Sequence, residues 1–211
     1  MRRPADARGR PLGVRYCPCV SDSDEAVVEF ASTREWATWL ARNHTKSTGV
    51  WLKLAKKGTG AASVSYSDAL DVALCYGWID ARKARLDERF WRQRFTPRTA
   101  QSKWSKLNRD RVERLVASRA MKPPGLAEVQ RAQADGRWDA AYDAQSTAAV
   151  PPDLRRELRK HPAASAFFDT LDSRNRYAIL YRIQDAKKPE TRARRIEKFV
   201  AMLEAREKIH P

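Results

Sequence analysis

Two segments of the chain concentrate side chains able to bind charge or move a proton. The first is Ala73-Leu74-Cys75-Tyr76-Gly77-Trp78-Ile79-Asp80. The second is Arg94-Phe95-Thr96-Pro97-Arg98, continuing to Ser102-Lys103-Trp104-Ser105-Lys106-Leu107-Asn108. Both set polar groups among aromatics at the ends of regular elements, where a rigid scaffold presents binding residues. Asp80, in a corner with Tyr76 and Trp78, is a candidate acid, base or hydrogen-bond acceptor; the competing reading makes Trp78 a core residue and Asp80 a cap or an arginine partner. Arg94 and Arg98 carry forks that suit phosphate or carboxylate, or else form surface ion pairs with Asp80 or Asp87. Ser102, Trp104, Ser105 and Asn108 either line the same site or make a serine-capped helix start with Trp104 packed against it. Lys56, with Lys57 after a strand, either reaches an anion or sits on a solvated turn. No catalytic residue is assigned.

Familiar catalytic and phosphate-binding signatures are absent: no GxxxxGK[ST], GxGxxG, HExxH or GxSxG, and no paired CxxC. His44, His161 and His210 are scattered, and Cys17-Pro18-Cys19 has no second pair or nearby histidine, so no metal site and no cofactor are expected. Cys75 falls in an apolar helical pattern and reads as a small buried hydrophobe.

Net charge is +16 and pI about 10.2. Such a surface attracts polyanions and repels polycations, subject to salt screening. Nucleic acid, acidic lipid headgroups and phosphorylated small molecules are favoured; an arginine-rich composition serving solubility is the plainer explanation. Residues 82–119 hold thirteen Lys or Arg and four Asp or Glu, 13 − 4 = +9. With Phe90, Trp91 and Phe95 among them, that stretch suits a nucleic-acid surface, although the three rings also have core spacing. No run of ~18 apolar residues is present, so no membrane span is expected. MRRPADARGRPLG lacks an apolar signal core, so residence in the cytoplasm is expected.

The elements that must position these residues follow from periodicity. Residues 1–24 show none and read as a flexible tail. Order is expected from Val27-Val28-Glu29-Phe30, a short strand. Ser32-Thr33-Arg34-Glu35 has the form of a capping box and opens a helix through Trp36, Trp39, Leu40 and Asn43. Val50–Ala55 alternates as a half-buried strand with Val50, Leu52 and Leu54 on one face. After a turn at Gly58-Thr59-Gly60, Ser65 or Ser67 caps a helix ending near Gly77. Residues 80–96 read as a hairpin whose second arm stops at Pro97. A helix capped at Ser102 or Ser105 follows. Pro123-Pro124-Gly125 is expected to break the chain before a helix from Leu126 to Ala134. Residues 144–152 read as a linker, and 153–211 as helical, with helices parted at Pro162 and started at Pro189. The expectation is an α+β fold: a domain over 25–143 with a small mixed or antiparallel sheet, then a helical C-terminal subdomain.

Four segments occur in one order: SYSDALDVALCYGWID, RFTPRTAQSKWSKLN, GRWDAAY and AKKPETRARRIEK. Together they resemble the YdeI/OmpD-associated family, the bacteriocin-protection proteins, from about Phe30 to about Leu203. The resemblance implies a role in protection against cationic antimicrobial peptides, and carries no catalytic residue with it. The expected function is therefore a stress or bacteriocin protection protein acting by binding an anionic ligand or partner. Two alternatives stand beside it: a nucleic-acid-binding module, and an enzyme using Asp80, Arg94, Arg98 and Ser102. All three presume that the Tyr76–Asp80 corner and the Arg94–Asn108 stretch share one hollow.

Overall fold

A computed structural model of the chain describes Arg15–Cys17 and residues 27–211. Most of the expected tail lies outside these residues. Within it, Arg15–Cys17 forms a strand, β1, paired antiparallel with β2, Val27–Glu29. Five strands make one mixed sheet in the order β1-β2-β3-β5-β4, with eight helices among the described residues. The fold is α+β as expected. Its residues group into two compact units. One comprises the residues up to Ser102 with Asp110–Trp138; the other comprises Lys103–Arg109 and Asp139–Pro211.

In the first unit, Ser32 caps α1 (Thr33–Asn43) by accepting from the Glu35 amide, and the Glu35 carboxylate accepts from the Ala31 amide at 3.0 Å. The reciprocal capping read from the sequence is thus present, shifted one residue on its return arm. β3 (Val50–Ala55) runs parallel to β2 and antiparallel to β5 (Phe90–Pro97). Val50, Leu52 and Leu54 register with Phe95, Gln93 and Trp91, so these six side chains share a face. Phe30, Trp36, Trp39, Trp78 and Phe95 form an aromatic cluster with ring separations between 5.4 and 6.5 Å. Offset and edge contacts of this kind add to the area each ring buries.

Ser65 caps α2 (Tyr66–Cys75), accepting from the Asp68 amide at 3.1 Å. Gly77 follows at φ +73°, the left-handed turn that ends a helix most readily without a Cβ. The chain reverses there directly into β4 (Trp78–Arg85), so Trp78 and Asp80 lie within a strand and not on a free turn. A bulge between Asp80 and Lys83 interrupts the β4–β5 ladder.

α3 (Lys106–Ala117) is capped at Ser105, whose hydroxyl accepts from the Asn108 amide at 3.2 Å. Pro123-Pro124-Gly125 does not break the chain: it starts α4 (Pro123–Ala134), both prolines sitting in the first turn. First-turn amides have no intrahelical acceptor, so proline costs little there. Gly125 packs on the end of α2, and a Cβ at that position would meet Cys75 C and Leu74 O at 2.7 Å.

The second unit holds α5 (Pro152–Lys160), α6 (Pro162–Thr170), α7 (Ser173–Gln184) and α8 (Pro189–Glu204). Leu154, Phe168, Ile179, Ile183, Phe199 and Leu203 are among its core residues. Lys103–Arg109 joins this unit through a β-bridge between Ser105 and Tyr142 and two backbone hydrogen bonds, Lys106 N–H to Tyr142 O and Tyr142 N–H to Trp104 O.

Candidate functional site

The structure brings the Tyr76–Asp80 and Arg94–Arg98 segments together through the β4–β5 ladder. Asp80 registers with Phe95, and the Arg98 amide donates to Gly77 O at 2.9 Å. That proximity does not build the convergent pocket read from the sequence. Asp80 shares Phe95's face, so Arg94, one residue back, projects from the other. Its guanidinium lies over Gly49, where a Cβ would come within 2.7 Å of Nη2. An enzyme site requiring Asp80 and Arg94 in one hollow is not formed in this sheet.

The remaining sequence-chosen residues take these places. Trp78 is buried and donates its indole N–H to His44 O at 3.2 Å. Tyr76 caps α2 and faces the His44 ring at 5.6 Å. Asp80 accepts from the Tyr66 hydroxyl at 2.8 Å. Arg98 is buried, 5% exposed. Ser102 accepts from the Thr99 amide at 2.9 Å, closing a turn. Trp104, Ser105 and Asn108 belong to the second unit, where Trp104 and Ser105 are buried and Ser105 is the helix cap.

Of the sequence-chosen residues, Lys56 alone lines a hollow present among the described residues of the first unit. This hollow has a volume of about 630 Å³ and is bordered by Lys56, Lys57, Lys83, Ala84, Arg85 and Trp91. The sheet order β3-β5-β4 explains its composition. Trp91 is on the middle strand, between Leu54 of β3 and Arg85 of β4. Lys56 and Lys57 follow the end of β3, while Lys83 and Arg85 come from β4 beyond the bulge. Neighbouring strands lie ~4.8 Å apart, so the two groups of cations start ~10 Å from each other with the indole between them. The bulge matters because it resets the ladder to Lys83↔Gln93 and Arg85↔Trp91. Both basic side chains therefore stand on Trp91's face.

Tyr66 supports the indole, its ring 5.7 Å from that of Trp91 and its hydroxyl fixed by Asp80. Lys56 Nζ donates to Asp87 O at 2.8 Å, and Arg85 pairs with Glu88. Lys57 and Lys83 are exposed and form no ion pair or hydrogen bond among the described residues. Burial opposes ionisation of Asp87, but the Arg89 and Phe90 amides, helped by Lys53 and Lys56, outweigh it and hold this carboxyl below the usual range.

Several basic residues elsewhere are engaged. On the opposite sheet face, Lys53 bonds Glu29 at 3.2 Å and lies 3.8 Å from the Phe90 ring centre, while Arg92 stacks on Trp51 at 4.6 Å. On α8, Arg192 grips Asp153 through two nitrogens at 2.5 and 2.9 Å. Sequence reading missed Trp91, Lys83 and Arg85 as one site because their grouping depends on sheet order and on the bulge. The signal available was the basic, aromatic composition of the hairpin itself.

Among the described residues, no group of three or more His, Cys, Asp or Glu side chains is placed to hold a metal ion. No helix among them is long and apolar enough to cross a membrane.

Residues 147–206 match the family described as Bacteriocin-protection, YdeI or OmpD-Associated. Residues 28–128 match a different description, a domain of unknown function (DUF8412). No curated protein and no solved structure matches the chain. The resemblance read from the sequence is thus carried by the C-terminal part, which contains AKKPETRARRIEK. SYSDALDVALCYGWID and RFTPRTAQSKWSKLN fall within the other match, and GRWDAAY between the two.

Proposed function

We propose that this protein is a binding protein for phosphate-bearing anions, and that the hollow around Trp91 is where it binds them. The observation that carries this reading is the pairing of two uncommitted lysines, Lys57 and Lys83, with Lys56, Arg85 and an indole in one concavity. Uncommitted ammonium groups near a low-dielectric wall attract anions without first breaking an internal ion pair. Net charge of +16 supplies the long-range attraction.

In this reading the protection role of the family is exercised in the cytoplasm, during stress, through the bound anion. Sequestering a cationic peptide does not fit, since like charges repel. Binding without chemistry is the simplest use of such a site.

The test is calorimetric titration with tripolyphosphate. Binding is expected, weakening by about tenfold or more in the double variant Lys57→Glu/Lys83→Glu. Arg194→Glu/Lys198→Glu, which changes net charge equally on α8, is expected to bind within about twofold of the parent. Equal losses in both variants would reduce the effect to net charge and overturn the assignment of a site.

A further inference from the structure

We infer that the ligand class of this hollow is single-stranded nucleic acid, with a base laid on Trp91 and flanking phosphates held on its two sides. The inference rests on the anion-binding reading above and adds to it the part of the site that no inorganic anion uses, the indole. A simple phosphate receptor needs donors around one point. Here the cations form two groups, Lys56 and Lys57 beyond β3 and Lys83 with Arg85 on β4, separated by the strand that carries Trp91. A strand crossing the sheet edge presents a phosphate to each group and one base between them. Base stacking on an aromatic ring is tolerant of sequence, because every base has a π face, and basic grooves follow the backbone. A single phosphate would leave one cation group unused. Duplex would keep its bases stacked inside and unavailable to the ring.

The aromatic floor is also held in place. Tyr66 packs beside Trp91 at 5.7 Å, and its hydroxyl is fixed by Asp80 at 2.8 Å. Asp80 is thus a positioning residue for the platform, acting through Tyr66. The ring need not be ordered by the ligand, which keeps the entropic cost of stacking low.

The experiment measures fluorescence anisotropy of a labelled thymidine octanucleotide and, in parallel, calorimetric binding of tripolyphosphate, using the full chain. Trp91→Ala is expected to lose about tenfold or more in oligonucleotide affinity, the effect of one stacked base, while tripolyphosphate affinity stays within about twofold. Trp91→Phe is expected to recover most of the loss, which separates a missing ring from a damaged sheet. Lys57→Glu/Lys83→Glu is expected to weaken both ligands. If tripolyphosphate binds at the hollow but Trp91→Ala leaves oligonucleotide affinity unchanged, the nucleic-acid inference falls and the anion site stands. A duplex of the same length binding as tightly as the single strand would also overturn it. If Lys57→Glu/Lys83→Glu affects neither ligand, both readings fall together.

Discussion

Single residues in the first unit divide into those that pack and those left available. Gly125 is of the first kind: its hydrogen faces the Leu74 and Cys75 backbone, with no room for a Cβ. Gly125→Ala is expected to destabilise the protein by about 1–3 kcal/mol, typical of overpacking a filled interior, read as a lower urea midpoint with unchanged slope. Cys75 beneath it is buried, and burial pushes its thiol up to about 11, against a partial opposing pull from Lys122. A raised thiol pKa means the folded state favours the protonated form. The contribution is complete below the unfolded value near ~8.5 and is lost as pH rises through the folded value. Alkylation at pH 8 followed by peptide mapping should leave Cys75 unmodified in the native protein and modified in urea. Rapid native labelling would contradict its burial. The residues that do chemistry in the sequence-based reading mostly turn out to be committed. Trp78, Arg98, Trp104 and Ser105 are buried, and Ser102 closes a turn. Composition marks such residues as noteworthy, but it cannot say which partner each one finds. Lys56 was legible as a candidate because two lysines follow a strand; its neighbours across the sheet were not.

At the scale of elements, the sequence carried most of the secondary structure, because caps, alternation and proline act locally. Ser32 and Ser65 cap where expected, and Val50–Ala55 is a strand with Val50, Leu52 and Leu54 on one face, although Trp51 on the other face is buried too. The prolines at 123 and 124 misled because one residue type both ends and begins helices, and only the following packing decides. The β4 bulge was invisible for a different reason: it is a property of two strands, not one. In the second unit the link between α5 and α8 offers a clear test. Arg192 bonds Asp153 through two nitrogens and also donates to Ile183 O at 2.9 Å. Arg192 holds the Asp153 carboxyl below its usual range, ahead of the opposing effect of burial. A depressed carboxyl pKa stabilises the fold above the unfolded value near ~3.9, and that contribution is lost as pH falls through the lower folded value. Asp153→Asn is therefore expected to cost about 1–3 kcal/mol at neutral pH. The difference from the parent should shrink as urea unfolding is repeated toward pH 3. A gap that stayed constant with pH would mean that the charge of Asp153 is not what holds α5 to α8.

For the whole molecule, charge is the property with the longest reach. A net +16 chain should bind phosphate polymers with affinity that falls steeply with salt, roughly one logarithmic unit per tenfold salt for each phosphate contacted. Raising salt from 50 to 200 mM should weaken octanucleotide binding several-fold if two phosphates are held; a flat dependence would leave electrostatics out of the complex. Salt alone does not locate the contact, since α8 and the hairpin are both basic. The contrast between them lies in grouping: Lys56, Lys57, Lys83 and Arg85 border one hollow around Trp91, whereas on α8 Arg192 is engaged with Asp153. The decisive measurement is therefore nuclear magnetic resonance of the isotopically labelled chain titrated with tripolyphosphate. The Trp91 indole signal and the amides of Lys56, Lys57 and Lys83–Arg85 should move together with one binding constant, while those of Arg192–Lys198 stay still. Movement confined to α8, or spread evenly over every basic residue, would contradict a site at the sheet edge.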